Sequence, residues 1–319
     1  MRALIVLLGA VGDVTRGLII PRLLKDKNPN IKIAWLVEPA SSSLVKLSNA
    51  VDEVIVFNRT LRGVLPAIKA IRKFNPDVTL DLQRHSKSGF FSWISGAKRR
   101  IGFHRKSSKE FNWIFNNEFI ERWDEKSSKQ TQYLACAEKL VGNFDSYRQR
   151  DSINIPPVPD FLKDKKPLVG LILGSAWETK DWMGNRELLD LLKGQNVVLI
   201  GSKAQSQLGE SLLRPGVINM AGKTSLAEVF GILSACDVVI GPDSGPGHMA
   251  SLLEVPYIAL FGPTDPVKTA PKGAIVVSAN VPCAPCYRRK CPGLGNICMK
   301  AISPEMVFNK ALPFLTKVA

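Results

Sequence analysis

Apolar residues recur in short runs that are separated by segments of helical length. In the first half these runs predict strands at residues 3–8, 32–37, 54–57 and 77–82. Residues 61–73 carry apolar side chains at helical spacing and predict a helix. Continuous apolar runs joined by helical segments are typical of buried parallel strands with right-handed crossovers. The first half is therefore predicted to form a doubly wound α/β sheet.

The alternation restarts after a segment rich in proline and charge, at residues 155–167. Such a composition is typical of a semi-rigid surface connection between domains. Beyond it the pattern predicts strands at residues 168–173, 196–200, 237–240 and 257–261, and helices at residues 187–192, 226–236 and 248–253. We therefore predict two Rossmann-like domains, residues 1–155 and 156–319. Ligands are expected beyond the carboxyl ends of the strands, in a cleft between the domains.

The composition excludes several classes of protein. The chain has 319 residues, of which 45% are apolar and 22% charged, so it is neither disordered nor fibrous. No apolar run approaches the roughly 20 residues of a membrane-spanning helix. Residues 1–9 carry one leading charge and no cleavage site, which predicts a first strand rather than a signal peptide. We expect a cytoplasmic protein.

Basic residues are concentrated in the first half of the chain. Lysine and arginine total 43 against 28 acidic residues, a net charge of +15, and the cluster at residues 98–106 is the densest. A surface of this kind attracts nucleic acid, phosphorylated lipid headgroups or a phosphorylated acceptor. A well-solvated surface without a partner is the alternative.

A glycine-rich turn stands at residues 241–248, which read Gly-Pro-Asp-Ser-Gly-Pro-Gly-His after an apolar run and before a helix. Amides at a helix start, together with the helix dipole, suit a diphosphate. Asp243 and Ser244 can also act as caps or ribose contacts. A turn without a ligand is the alternative. The first strand is followed by Gly-Ala-Val-Gly-Asp rather than G-x-G-x-x-G, which argues against a dinucleotide dehydrogenase.

Four of the six cysteines are closely spaced. They form a C-x2-C-x4-C-x6-C cluster of Cys283, Cys286, Cys291 and Cys298. In a cytoplasmic protein such spacing favours a metal over disulfides, here a structural tetrathiolate zinc or iron site. Reduced, unliganded thiols or disulfides formed in the purified protein are the alternatives. Cys136 and Cys236 lie in apolar helical stretches and are predicted to be core thiols.

The run from residue 241 to Phe-Gly-Pro-Thr-Asp-Pro at residues 261–266 resembles the signature of the bacterial lipopolysaccharide heptosyltransferases, glycosyltransferase family 9. Further similar segments follow in family order at residues 12–14, 35–38, 51–54, 98–103, 174–182 and 221–226, so that the resemblance covers nearly the whole chain. It implies a GT-B architecture of two Rossmann-like domains, with the last helix packing back on the first domain. It also implies an inverting, metal-independent transfer of a sugar from a nucleotide donor.

The resemblance assigns roles to individual residues. Asp13 matches the base that takes the proton from the acceptor hydroxyl, although a helix N-cap is its commoner role. Lys180 matches the lysine that binds the donor diphosphate and supports catalysis. The implied donor-binding set is Ser175, Thr179, Lys180, Asp243, Ser244, Gly245, Pro246, Gly247 and His248, with Asp243 on the sugar hydroxyls. The expected acceptor-binding set is Arg84, Lys87, Lys98, Arg99, Arg100 and Arg105.

By this resemblance the chain moves heptose from ADP-heptose to a phosphorylated inner-core lipopolysaccharide acceptor, which is Kdo or heptose. It needs no cofactor for catalysis and touches the anionic inner face of the inner membrane peripherally. Two departures leave the exact donor and acceptor open. Gln205 stands where many relatives have a ribose-binding glutamate, and residues 14–17 lack a histidine that classical heptosyltransferases often carry.

Three other functions are compatible with parts of the sequence. The first is heptosyl transfer to protein side chains, which the cysteine cluster favours because related protein-heptosylating enzymes bind iron there. The second is a nucleotide-sugar epimerase of the same architecture, which needs no acceptor. The third is a nucleic-acid-binding protein, for which aromatics at residues 90–113 would be stacking platforms. Their helical spacing instead predicts core positions, and we expect no nucleic-acid partner.

Overall fold

The computed structural model describes residues 1–121, 127–144, 146–293 and 295–315. The chain divides into two compact units, Met1–Asn154 and Ile155–Ala319. Each unit is built on one six-stranded sheet whose paired strands all run parallel. The predicted fold class, two doubly wound α/β domains, is therefore confirmed.

The strands of the first unit, β1 to β6, are Arg2–Val6, Lys32–Val37, Glu53–Val56, Val78–Asp81, Arg99–Phe103 and Glu118–Ile120. Its helices, α1 to α6, are Val11–Gly17, Ile19–Lys27, Pro39–Val45, Leu61–Phe74, Ser86–Ile94 and Lys129–Val141.

The first sheet has the order β3-β2-β1-β4-β5-β6. Its central strands β1 and β4 are buried on both faces after Arg2, as expected for a sheet covered by helices on both sides. The chain builds outward from β1 in one direction and then from β4 in the other. The order therefore reverses between β1 and β4, and the loops after these two strands diverge there. Such a point leaves an opening at the carboxyl edge of a sheet, where ligands bind in this class of fold.

The strands of the second unit, β7 to β12, are Leu168–Ile172, Asn196–Ile200, Val217–Asn219, Val238–Pro242, Tyr257–Phe261 and Ile275–Ser278. Its helices, α7 to α13, are Asn185–Leu191, Ser206–Ser211, Leu226–Ala235, Gly245–Leu252, Pro266–Thr269, Ile297–Lys300 and Pro304–Ala311.

The second sheet repeats the arrangement of the first, with the order β12-β11-β10-β7-β8-β9. Its reversal lies between β7 and β10. Helix α13 packs on α7 and on β11 within the same unit. The Trp182 indole in the loop before α7 donates a hydrogen bond of 2.9 Å to the carbonyl of Ile302, just before α13. This contact fixes the end of the loop that follows β7.

Some predicted elements differ from the structure. Residues 98–103, which the resemblance treats as a basic turn, contain strand β5. The segment between β1 and β2 forms two helices, α1 and α2, that meet at Leu18. Among the aromatics predicted as core, Phe91 and Phe103 are buried, but Trp93 and Phe111 are exposed. The core prediction for this group was therefore only partly right. None of the described helices is long and apolar enough to cross a bilayer.

Candidate functional site

The second unit brings two loops together at the reversal of its sheet. One follows β7 and carries Lys180; the other follows β10 and carries Asp243. The two strands are hydrogen-bonded neighbours, with Ile240 opposite Leu171, so both loops leave the same edge. Sequence analysis selected both loops separately, and the fold places them side by side.

A buried ion pair joins the two loops. The Lys180 ammonium lies 2.7 Å from Asp243 Oδ2 and donates a second hydrogen bond, of 3.1 Å, to the Asp243 carbonyl. The Lys180 and Asp243 side chains are only 12% and 7% exposed. Because water screens such a pair little, the charge of Lys180 is held in one position.

The Asp243 carboxylate is almost fully occupied by protein groups. Thr264 donates a hydrogen bond of 2.9 Å to Oδ2, and Thr269 donates one of 3.3 Å to the same oxygen. His248 Nε2 lies 3.6 Å from Oδ1. Burial by itself raises the pKa of Asp243, but His248 and Lys180 outweigh it and hold the pKa well below its usual range. Asp243 is therefore ionised, and its carboxylate anchors Lys180.

The turn at residues 243–248 closes into helix α10. Ser244 is the N-cap residue, with Pro246 in the first turn. Gly247 is required here because a Cβ atom would overlap the ring of Tyr257, whose hydroxyl donates a 2.7 Å hydrogen bond to the carbonyl of Pro242. The amides of the first turn of a helix have no partners within the helix and point beyond its end. An anion can bind them there.

The Lys180 loop is tied to the cysteine-rich loop at residues 283–298. Thr179 is buried, and its hydroxyl donates a hydrogen bond of 2.6 Å to the carbonyl of Arg288. Asn296 donates one of 3.1 Å to the carbonyl of Glu178. The predicted donor-binding residue Thr179 therefore holds a loop, as does Ser175, whose hydroxyl accepts from the Trp177 amide.

Each of these two loops places one cation near the Trp177 indole. The Lys180 ammonium is 4.6 Å from the ring centroid, and the Arg289 guanidinium carbon is 5.5 Å from it. Contacts of this kind stabilise a cation without neutralising it. Arg289 was not selected from the sequence, because it lies 109 positions beyond Lys180 and only the fold brings the two together.

The four clustered cysteines line a single cavity of about 360 Å³ together with Thr179 and Arg288. Burial, and the neighbouring Cys283 and Cys286, raise the pKa of the Cys298 thiol. Within the part of the chain that the structure describes, no group of three or more histidine, cysteine, aspartate or glutamate side chains is arranged to hold a metal ion. The predicted structural zinc or iron site is therefore unsupported. Cys136 and Cys236 are buried core thiols, as predicted.

In the first unit, Asp13 lies in the first turn of α1, just after β1. The N-cap residue is Ala10, without a side-chain cap, so Asp13 does not have the capping role that was its alternative. Its Oδ1 lies 2.6 Å from the Arg16 guanidinium, and the Lys129 ammonium is 3.0 Å from Oδ1 and 3.2 Å from Oδ2. Asp13 is therefore a carboxylate held by two cations.

Further polar groups surround Asp13. Arg84 follows β4, and its guanidinium donates a hydrogen bond of 3.1 Å to Gln132 on α6. Lys109 is hydrogen-bonded through its amide to the Arg84 carbonyl. Partial burial and the nearby cations Arg84 and Lys129 lower the pKa of Lys109. Burial and the Asp13 carboxylate raise the pKa of Tyr133. The first reversal point thus combines one carboxylate with several cations.

A buried polar network supports the loop that carries Arg84. Asp81, at the end of β4, is completely buried and accepts hydrogen bonds from the amide groups of Asn112, at 2.5 Å, and Asn116, at 3.3 Å. Burial raises the pKa of Asp81, and these hydrogen bonds oppose the rise. Asn112 also donates to the carbonyl of His85. The network therefore fixes the chain directly after Arg84.

The predicted acceptor-binding residues fall into two groups. Arg84, Lys87 and Arg105 follow the carboxyl ends of β4 and β5. Lys98, Arg99 and Arg100 lie at the amino end of β5, roughly 15 Å away for a strand of five residues.

The second group is largely occupied by protein partners. Arg99 makes two hydrogen bonds to Glu118, of 2.7 and 2.9 Å. Arg100 donates to the carbonyls of Phe115 and Ala97. These contacts and the distance separate Arg99 and Arg100 from the Asp13 cluster, so we no longer count them with the acceptor-binding residues.

Comparison with known proteins gives a consistent result. Residues 64–295 match the profile of the family described as Glycosyltransferase family 9 (heptosyltransferase).

Among curated proteins, the chain is similar to the lipopolysaccharide core heptosyltransferase OpsX of Haemophilus influenzae, with 28% identity over 83% of this chain and 80% of that protein. It is also similar to the lipopolysaccharide heptosyltransferase 1 of Pseudomonas aeruginosa, with 25% identity over 91% of this chain and 87% of that protein. The fold is similar to that of the Escherichia coli heptosyltransferase WaaC solved with ADP, with a TM-score of 0.79, 20% identity, and coverage of 98% of this chain and 100% of that one.

Proposed function

The chain belongs to glycosyltransferase family 9, and on that premise we propose that it transfers heptose from ADP-heptose to the inner core of lipopolysaccharide. The names of the curated relatives support the sugar and the acceptor class. The observation on which the proposal depends most is the buried Lys180–Asp243 pair beside the start of α10. It combines a fixed cation with unpaired helix amides, which is the chemistry that a leaving diphosphate requires.

In this proposal the second unit binds the donor. Lys180 and the backbone N–H groups of Ser244, Gly245 and Gly247 contact the diphosphate and stabilise the negative charge that grows as the sugar leaves. Pro246 has no N–H group, and the His248 amide donates to the Ser244 carbonyl. Asp243 holds Lys180 in place through its Oδ2 atom, which also accepts hydrogen bonds from Thr264 and Thr269. Thr179 holds the same loop from the other side through Arg288. Their contribution to donor binding is therefore indirect.

The first unit supplies the base. An acceptor hydroxyl loses its proton to Asp13 as its oxygen forms a bond to the anomeric carbon of the donor. The bond between that carbon and the diphosphate oxygen breaks at the same time, and its electron pair leaves with ADP. Attack opposite the leaving group inverts the configuration at the anomeric carbon. No metal takes part in the reaction, because Lys180 and the helix amides neutralise the leaving group.

The acceptor is Kdo or heptose of the phosphorylated inner core. Arg84, Lys87 and Arg105, together with the cations around Asp13, are placed by the first sheet at one edge and suit its negative groups. Lys98, which lies on the basic amino edge of β5, remains available for anionic headgroups. The lipid part of the acceptor would bring the enzyme to the cytoplasmic face of the inner membrane, where contact is peripheral.

The proposal is tested by incubating the purified protein with ADP-heptose and lipopolysaccharide from strains whose inner core ends at Kdo or at the first heptose. We expect heptosylated product and ADP in equal amounts. Asp13→Asn should lower the transfer rate by at least about 10³-fold, because an amide cannot accept the proton, while ADP binding in calorimetric titration stays within about twofold.

Four outcomes of this experiment would contradict the proposal. Tighter binding of UDP, GDP or CMP than of ADP would replace the donor. Release of free sugar without acceptor would indicate an epimerase. Transfer to a protein but not to either lipopolysaccharide would change the acceptor class. Full activity of the Asp13→Asn variant would remove Asp13 from the mechanism.

A further inference from the structure

The two cations on Asp13 are held very differently. Arg16 lies one turn further along the same helix, and its side chain is 8% exposed. Lys129 comes from the first turn of α6, and its side chain is 35% exposed. The Lys129 ammonium lies within hydrogen-bond distance of both carboxylate oxygens. Arg16 is therefore a fixed partner, whereas Lys129 can leave Asp13 by rotating toward solvent.

The Lys129 contact conflicts with the role of a base. A cation beside a carboxylate favours the ionised form, which makes the carboxylate a weaker proton acceptor. General base catalysis improves when the affinity of the base for the proton is matched to the operating pH. Asp13 would therefore accept a proton more readily after one of its two cations has moved away.

The surroundings of Lys129 favour an anion. The described charged and titratable groups near Asp13 are Arg16 on its own helix, Lys129 and Tyr133 on α6, Arg84 after β4, and Lys109 with Glu110 after β5. Helix α3, which packs on α1, carries no titratable side chain between Pro39 and Val45. Four cations against two carboxylates leave an excess of positive charge that a nearby oxyanion would neutralise.

We propose that Lys129 is a positioning residue that holds Asp13 ionised and oriented in the free enzyme, and that it transfers to an oxyanion of the acceptor when the acceptor binds. The inference rests on the proposed function, because it takes Asp13 as the base. The oxyanion lies next to the reacting hydroxyl and is either the carboxylate of an acid sugar or a phosphate. Once Lys129 has moved, Asp13 faces one cation fewer and accepts the hydroxyl proton more readily. The acceptor thereby activates its own base.

The first test is the pH dependence of transfer by Lys129→Met, which keeps the length of the side chain and removes the charge. The acid limb of kcat/KM reports the base in the free enzyme. We expect this limb to move to higher pH by about 1 unit in Lys129→Met, because a cation that favours the carboxylate has been lost. Lys129→Arg should restore the wild-type limb. Lys139→Met, on the same helix but two turns beyond the cluster, should leave it unchanged.

The second test varies the acceptor. The wild-type enzyme is assayed with the intact Kdo-terminated acceptor, with its carboxyl methyl ester, and with the acceptor after phosphatase treatment. We expect one of the two altered acceptors to lower kcat/KM at least about 10-fold in the wild type. That acceptor identifies the oxyanion. In Lys129→Met the altered and intact acceptors should react equally, because the partner of the oxyanion is missing.

Either of two results would overturn the inference. One is an acid limb that Lys129→Met leaves in place; the other is a preference for the intact acceptor that survives this substitution. A merely structural role would lower activity without changing the pH limb, and thermal denaturation of the variant would show it. Failure of the proposed function is recognised separately, since Asp13→Asn would then remain active or the wild type would fail to transfer heptose. ADP titration of Lys129→Met should match the wild type in every case.

Discussion

In each unit an aspartate stands at the reversal of strand order, and the two aspartates differ in burial. Asp13 and Asp243 follow the first and fourth strands of their sheets, respectively, at the same reversal of strand order. Each is paired with a lysine from a distant part of the chain. The Asp243 side chain is 7% exposed, whereas that of Asp13 is 18% exposed. Asp243 is additionally bound by two threonine hydroxyls.

This difference indicates that the two lysine–aspartate pairs have different roles. A buried pair loses much if one partner is removed, because the remaining charge stays out of water. Asp243 is therefore suited to a permanent role, the positioning of Lys180. A pair that water reaches can exchange partners at small cost. Asp13 is suited to a reaction in which it gains a proton and changes its contacts.

The largest difference between the two aspartates is expected when each carboxylate is removed and the stability is measured. Asp243→Ala should lower the free energy of unfolding by about 3–5 kcal/mol, since it leaves Lys180 buried and unpaired. Asp13→Ala should cost less, about 1–2 kcal/mol, since Lys129 can turn to water although the buried Arg16 loses this partner. Urea denaturation followed by circular dichroism gives both values. Equal losses would show that burial does not separate the two sites.

The pH dependence of stability is an independent test of the ion pair of Asp243. The pKa of Asp243 is lower in the folded than in the unfolded protein. The stabilisation by this group is therefore fully present above about pH 4, near the usual pKa of aspartate. It is lost as the pH falls through the folded pKa. The Asp243→Ala variant should therefore differ from the wild type most at neutral pH and least in strong acid.

A smaller effect is expected when the lysine of the buried pair is changed. Lys180→Met should weaken ADP binding about 10- to 100-fold, about 1.4–2.8 kcal/mol, because the diphosphate loses its fixed cation. Lys193→Met, an exposed lysine in the same unit, is the matched control and should bind ADP like the wild type. Unchanged ADP affinity in Lys180→Met would remove this residue from the donor site.

The smallest effect is expected at a third ion pair, which extends the series to the surface. The Arg99 and Glu118 side chains are 44% and 28% exposed. Arg99→Ala should cost less than about 1 kcal/mol of stability and change the transfer rate less than about twofold. Arg84→Ala, at the other end of the sheet, should raise the acceptor KM about 10-fold. A stronger effect of Arg99 than of Arg84 on KM would return the amino end of β5 to the acceptor site.

The elements that could be predicted from the sequence are those whose own residues form a recognisable apolar pattern. Strands β1, β7 and β11 are continuous apolar runs, and helix α4 has a regular apolar face. Strand β5 was mistaken for a turn because it begins with two charged residues. Arg99 pairs with Glu118, and Arg100 donates to the backbone carbonyls of Phe115 and Ala97. Short strands such as β6 and β9 have three residues, too few to show a pattern.

The candidate site divides in the same way. Lys180 and Asp243 were each selected through the motifs around them, but their ion pair joins residues 63 positions apart. Lys129 is 116 positions from Asp13 and stands in a helix without any motif, so its role could not be predicted. The cysteine spacing indicated a metal, whereas the described structure shows the same residues lining a cavity beside the Lys180 loop.

The order of the strands also determines when the two ion pairs form during folding. The two central strands of each unit pair Ala3 with Val78 and Val169 with Val238. About 70 residues separate the partners in each pair. Closing a loop of this length costs conformational entropy before the strand contacts compensate for it. The outer strands pair with near neighbours in sequence and can form first. Both aspartates with their lysines lie where this slowest pairing is made. A nascent or partly folded chain therefore has neither the Asp13–Lys129 pair nor the Lys180–Asp243 pair, and it acquires both only when each sheet is joined at its centre.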